Sequence, residues 1–82
     1  MYRILVIGSE TCFSCKALWK SLQSKKDDIK AELEYKNITE CLEAANELVI
    51  RSLPGVVIYK GETVVKVFNG NVSVDTIKEV LK

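Results

Sequence analysis

Apolar positions along this chain switch between two rhythms, and the switches mark out its elements. YRILVIG, Tyr2 to Gly8, is a nearly continuous β-branched and aliphatic run that stops at glycine, the pattern of a buried strand in a parallel or mixed sheet. Cys15, Leu18, Trp19 and Leu22 then recur at i, i+3, i+4 and i+7, one apolar stripe of a helix. That helix takes Phe13 and Ser14 into its first turn and places Cys12 at or just before its start. SKKDD, Ser24 to Asp28, is polar and reads as surface. AELEYKNI, Ala31 to Ile38, alternates through Leu33 and Tyr35 and suggests a second strand.

NITECLEAANEL reads as a second helix, capped by Asn37 or Thr39, with Glu40 and Glu43 near its positive end. IRSLPG, which contains the only proline, interrupts the pattern. VVIYKGETVVKVFNG is two strand-like runs around Lys60, Gly61 and Glu62, a hairpin. SVDTIKEVLK starts at Ser73 as N-cap and sets Val74, Ile77, Val80 and Leu81 on one face. The order βαβαββα predicts an α/β fold, a three-layer α/β/α sandwich around a four-stranded mixed sheet. It forms a single domain over residues 1–82, with no repeat, linker or low-complexity segment.

Composition narrows the function classes. The 82 residues are 48% hydrophobic and 28% charged, which is globular, and too few for a second core. A net charge of +1 gives nothing to steer the protein toward nucleic acid or an anionic membrane. The longest apolar run, Ile4 to Ile7, is far short of a membrane span. Strand-like residues begin at Tyr2, where a secretory signal would lie, so the two glycosylation sequons at Asn37 and Asn71 read as chance matches. Three cysteines, an odd number, point to a reducing, cytoplasmic setting. Nothing in the sequence demands more than a monomer.

Chemistry concentrates in SETCFSCK, where Cys12 and Cys15 stand three positions apart. The chain has no histidine, which removes Cys–His nucleophile pairs and zinc sites that need imidazole. Three thiols cannot complete a four-sulfur zinc site within one chain. A cysteine at a helix N-terminus meets unsatisfied N–H groups and the positive end of the dipole, so thiolate is favoured over thiol. A second cysteine one turn on is placed to resolve a mixed disulfide. Cys12 is therefore the candidate nucleophile and Cys15 the candidate resolving residue. The plainer reading, two small hydrophobes in a core or half of a metal knuckle, stays open for an isolated C-x-x-C. Lys16 either supports a thiolate or is simply solvated. Cys41, beside Leu42 and Ala45, reads as a packing residue or an accessory thiol.

Three segments in register resemble the thioredoxin family: CFSCK at a strand-to-helix junction, IRSLPG about forty residues on, and VVIYKGETVVKVFNGNVSVDTIKEVL to the end. The resemblance covers essentially the whole chain, starts near the family's central strand, and leaves a domain of glutaredoxin size. It implies a thioredoxin fold and a protein-disulfide oxidoreductase that cycles between dithiol and Cys12–Cys15 disulfide. No organic cofactor or metal is implied. Its partners would be protein disulfide substrates and a thioredoxin-reductase-like electron donor. On residues alone Pro54-Gly55 is an ordinary turn; the resemblance makes Pro54 cis and turns it toward the dithiol. It also implies that the backbone of Leu53 pairs with an extended substrate. Phe13, Leu53, Pro54 and Gly70 would line a shallow groove around Cys12.

Departures from the family pattern matter. Phe13-Ser14 replaces Gly-Pro between the cysteines, so the potential does not carry over. Thr11 stands where thioredoxins usually have tryptophan, and Gly55 where threonine follows the proline. Val6 occupies the strand position at which many thioredoxins bury an aspartate, which leaves deprotonation of Cys15 to water or to its own acidity. Two other readings compete. A glutaredoxin-type enzyme would use glutathione as its electron donor and suits the chain length. It would want a lysine where Ser9 stands and a Gly-Gly pair where Asn69-Gly70-Asn71 and Asp75 lie. A binding module could hold a metal or iron–sulfur cluster across a dimer.

Overall fold

A computed structural model describes residues 1–81; Lys82, the last residue of the expected domain and C-terminal helix, lies outside the described residues. The elements are strand β1 (Tyr2–Gly8), helix α1 (Phe13–Ser24), helix α2 (Lys26–Ile29), strand β2 (Glu32–Asn37), a 3₁₀ turn (Ile38–Glu40), helix α3 (Leu42–Glu47), strands β3 (Gly55–Lys60) and β4 (Thr63–Asn69), and helix α4 (Val74–Val80). They form an α/β fold built on one four-stranded mixed sheet, ordered β2-β1-β3-β4.

The two central strands explain the apolar runs. β1 lies parallel to β2 and antiparallel to β3, with Ile4 opposite Ile58, Leu5 opposite Val57 and Val6 opposite Val56. Ile4, Val6, Val56 and Ile58 face one layer, where Leu18 and Leu22 of α1 and Val74 and Ile77 of α4 cover them. Leu5, Ile7 and Val57 face the other, against Cys41, Leu48, Ile50 and Leu53. Because α1 and α4 cover one face and residues of the segment from Ile38 to Leu53 the other, neither central strand can alternate with polar residues. The edges behave differently. β2 exposes Glu32, Glu34 and Lys36 between half-buried Leu33 and Tyr35, and charges of this kind discourage edge pairing. β4 leaves Val64 and Val65 exposed after a register shift beside Ile58 and Tyr59.

One expectation changes, and two features go beyond what was expected. The polar stretch after α1 is exposed through Asp28, yet it carries a turn of helix because Ile29, 6% exposed, anchors it to the core. The expected single helix over NITECLEAANEL is split in two. The Asn37 side chain accepts from the Thr39 N–H at 3.1 Å and caps a 3₁₀ turn, and Cys41, at φ −139°, separates that turn from α3. The other unforeseen feature is at the end of α3, where no glycine marks the stop. Val49 takes φ +59°; its N–H bonds to the Asn46 carbonyl and that of Ile50 to the Ala45 carbonyl. This is a Schellman closure with valine at the position that usually carries glycine. The hairpin forms as expected, Lys60 opposite Thr63 with Gly61 at φ +64°.

Candidate functional site

β1 ends at Gly8, and the chain turns at once into α1, with the Cys12 N–H donating to the Ser9 carbonyl at 3.2 Å. Cys12 is the N-cap of α1, in extended conformation. Its Sγ accepts from the Cys15 N–H at 3.2 Å and lies 3.4 Å from the Ser14 hydroxyl. A sulfur thus fills the place that serine or aspartate usually takes at a helix start. Cys12 and Cys15 form a disulfide, with Cα atoms 5.3 Å apart. The pair is asymmetric. Cys12 is half-buried at the rim, whereas Cys15 is fully buried on the core side of α1. A partner can reach only the first sulfur directly.

The second segment that the resemblance assigns to the site, the loop from Val49 to Gly55, enters β3 at the end of the sheet where Gly55 lies opposite Ile7. The Leu53–Pro54 peptide bond is cis, and Pro54 is fully buried. Among the described residues the backbone N–H and carbonyl of Leu53 make no hydrogen bond. Gly70, at φ +85°, donates its N–H to the Pro54 carbonyl at 3.0 Å. Phe13 is 85% exposed beside Cys12, Leu53 is half-buried, and Gly70 is partly exposed. Phe13 therefore presents an apolar surface to solvent. Lys16 is exposed on α1.

Two residues that sequence reasoning did not single out hold these parts in place. The Asn69 side-chain oxygen accepts from the N–H of Arg51 at 2.7 Å and of Ser52 at 3.4 Å, tying the loop to the end of β4. Asparagine next to the glycine at position 70 was visible in the sequence, but its partners lie eighteen and seventeen positions away. Tyr35 is the other. It sits on β2 directly opposite Val6, and its hydroxyl is shielded from solvent with no hydrogen-bond partner among the described residues. A Cβ on Gly8 would overlap this hydroxyl and stand 2.7 Å from the Cys15 Cβ, so glycine is what lets strand, helix and tyrosine meet.

Cys41 is separate from the pair. It is half-buried against the opposite face of the sheet and donates its S–H to the Asn37 carbonyl at 3.4 Å. Among the described residues no group of three or more histidine, cysteine, aspartate or glutamate side chains is placed to hold a metal ion. No described helix is long and apolar enough to cross a membrane.

No family model and no curated protein matches the sequence. Solved structures do match. A thioredoxin from Thermosipho africanus superposes with a TM-score of 0.80 at 20% identity, over 96% of this chain and 89% of that one. The oxidised thioredoxin of Plasmodium falciparum gives 0.78 at 21% identity, over 95% and 78%. A mutant thioredoxin from Halobacterium salinarum gives 0.85 at 16% identity, over 98% and 71%. With the sheet order, the dithiol at the start of α1 and the cis proline already in view, these likenesses establish that the chain has the thioredoxin fold.

Proposed function

We propose that the protein is a thiol–disulfide oxidoreductase that reduces disulfides on partner proteins. The observation that carries this is the asymmetric pair: a half-buried Cys12 capping a helix, joined to a fully buried Cys15 one turn on. In the dithiol form the helix N-terminus, the Cys15 N–H and the Ser14 hydroxyl favour a thiolate at Cys12. That thiolate attacks one sulfur of a client disulfide. The client bond breaks, its other sulfur leaves as a thiolate, and a mixed disulfide forms. Cys15 then attacks the Cys12 sulfur, the client's second sulfur departs, and the Cys12–Cys15 bond closes. Two electrons pass to the client.

The unpaired backbone of Leu53 suits an extended client segment laid alongside the loop, and exposed Phe13 offers it an apolar contact. A partner reductase returns the electrons. The cycle needs one copy of the chain and no bound cofactor, and we place it in the reducing cytoplasm, a setting that suits the free thiol of Cys41.

The test is trapping. Cys15→Ser, mixed with a disulfide-bonded protein such as insulin, accumulates a covalent complex that a reductant dissolves, and Cys12→Ser accumulates none. Equal trapping by both variants, or by neither, would sink this reading. Equilibration of the pair with glutathione then sets the direction. A potential near about −270 mV marks a reductase of protein disulfides, and one near about −200 mV or above marks coupling to glutathione.

A further inference from the structure

We propose that the Tyr35 hydroxyl is the hydrogen-bond donor that steadies Cys15 as a thiolate during resolution. This rests on the exchange reaction above and names the group that serves its second half. Val6 leaves the strand beneath Cys15 without a carboxylate, and Tyr35 is the residue paired with Val6 across the parallel ladder. Its ring packs on Trp19, centroids 5.6 Å apart. Both that hydroxyl and the Cys15 Cβ lie within 3.0 Å of the point a Gly8 side chain would occupy, and glycine leaves the space between them open.

A shielded hydroxyl without a partner is costly, and native proteins seldom keep one without a use. The redox cycle supplies the use. In the disulfide, Cys15 carries neither proton nor charge and is a poor acceptor. In the mixed disulfide it is released, its sulfur one bond beyond a Cβ already beside the hydroxyl. As it ionises it becomes a full acceptor. A neutral phenol has a proton to share and no strongly basic site, so Tyr35 donates a hydrogen bond and does not itself take the proton. The Cys15 proton goes to water. The thiolate attacks the Cys12 sulfur, the Cys12–client bond breaks with its electron pair on the client sulfur, and that thiolate is protonated by water.

Other charges face the same region. Glu10 from the turn and Lys16 and Lys20 from α1 line a cavity of about 460 Å³ beside Tyr35 and Trp19. From β1, β3 and α4 the packing groups Val6, Val56, Val74 and Ile77 carry no charge. The lysines aid ionisation of Cys15 and Glu10 opposes it, but these are solvent-exposed side chains, and solvent screens them.

The experiment follows a symmetric nitrobenzoate disulfide, which releases one coloured thiolate when Cys12 attacks and a second when Cys15 resolves. In Tyr35→Phe the pH midpoint of the second phase rises by about one unit. The thiolate fraction at neutral pH falls about tenfold, and because a more basic thiolate is the better nucleophile the resolution rate falls only about threefold. Above both midpoints the order reverses and the variant resolves faster. A ring-fluorinated tyrosine at position 35, a stronger donor that keeps the hydroxyl, moves the midpoint down. A purely structural tyrosine would change rates without that crossing. Superimposable pH profiles for the wild-type protein and both replacements would overturn the proposal. Absence of any second phase in the wild-type protein would overturn the exchange reading itself, and this inference with it.

Discussion

Two loops lie at the end of the sheet where Ile7 pairs with Gly55, and they are built in opposite ways. The dithiol turn, from Gly8 to Lys16, is secured almost entirely by neighbours in sequence: Cys12 to Ser9, Cys15 to Cys12, Lys16 to Cys12. The proline loop, from Val49 to Gly55, is held from a distance. Beyond the local closure at Val49 and Ile50, Asn69 grips Arg51 and Ser52, and Gly70 grips Pro54. The two cysteines thus ride on a short-range structure that helix formation sets, whereas the backbone of the proline loop depends on the end of β4. A locally closed turn keeps its geometry through small changes elsewhere. A loop tied at long range is sensitive to them.

That contrast can be broken at its one long-range dependence on the dithiol side. Gly8→Ala puts a Cβ 2.7 Å from the Cys15 Cβ and into the Tyr35 hydroxyl. The tyrosine can swing aside, but a Cβ fixed to helix backbone cannot, so overpacking of about 2–3 kcal/mol is expected in denaturant unfolding. Gly55→Ala meets the Ile50 Cγ2 at 2.6 Å. Because that atom belongs to a movable side chain, the cost is smaller, about 1–2 kcal/mol. Ile50→Ala in the same chain removes that Cγ2 and should recover part of the cost of Gly55→Ala, and a double-mutant cycle with no coupling would refute the contact as the cause.

Val49→Gly should act in the opposite direction. A β-branched residue at φ +59° is strained, and this one is about half exposed, 51%, so little packing is lost with its side chain. Stability should rise by about 1 kcal/mol, read as a higher thermal midpoint. Asn69→Ala removes an exposed acceptor and should cost about 1 kcal/mol overall. Its sharper signature is local: amide exchange at Arg51 and Ser52 accelerates while that of Cys15 and Lys16 does not. Equal acceleration in both loops would erase the distinction between them.

Much of the fold is legible along the chain because its signals are local or periodic. The β1 run ends at Gly8 in the structure as in the sequence, the stripe Cys15, Leu18, Leu22 is the buried face of α1, and Ser73 caps α4 through the Thr76 N–H at 3.2 Å. The breaks in the second helix were less visible. Asn37 offered a cap, but a cap does not reveal that the helix it starts lasts one turn, and a Schellman closure on valine carries no glycine to announce it. Pro54 alone reads as a turn; the cis bond entered through resemblance and is found in the structure.

By itself the sequence determined the order of elements, the two-sided burial of the central strands and the placing of Cys12 at a helix start, since each follows from spacing within a few residues. Only the tertiary structure decided that Tyr35 points its hydroxyl beneath Cys15, that Asn69 holds the proline loop, and that Cys41 lies apart on the other face. These depend on which strands pair and in what register. The alternation of Leu33 and Tyr35 with charged residues says which side of β2 is buried, but which residue of β1 each will face is settled only when the strands pair.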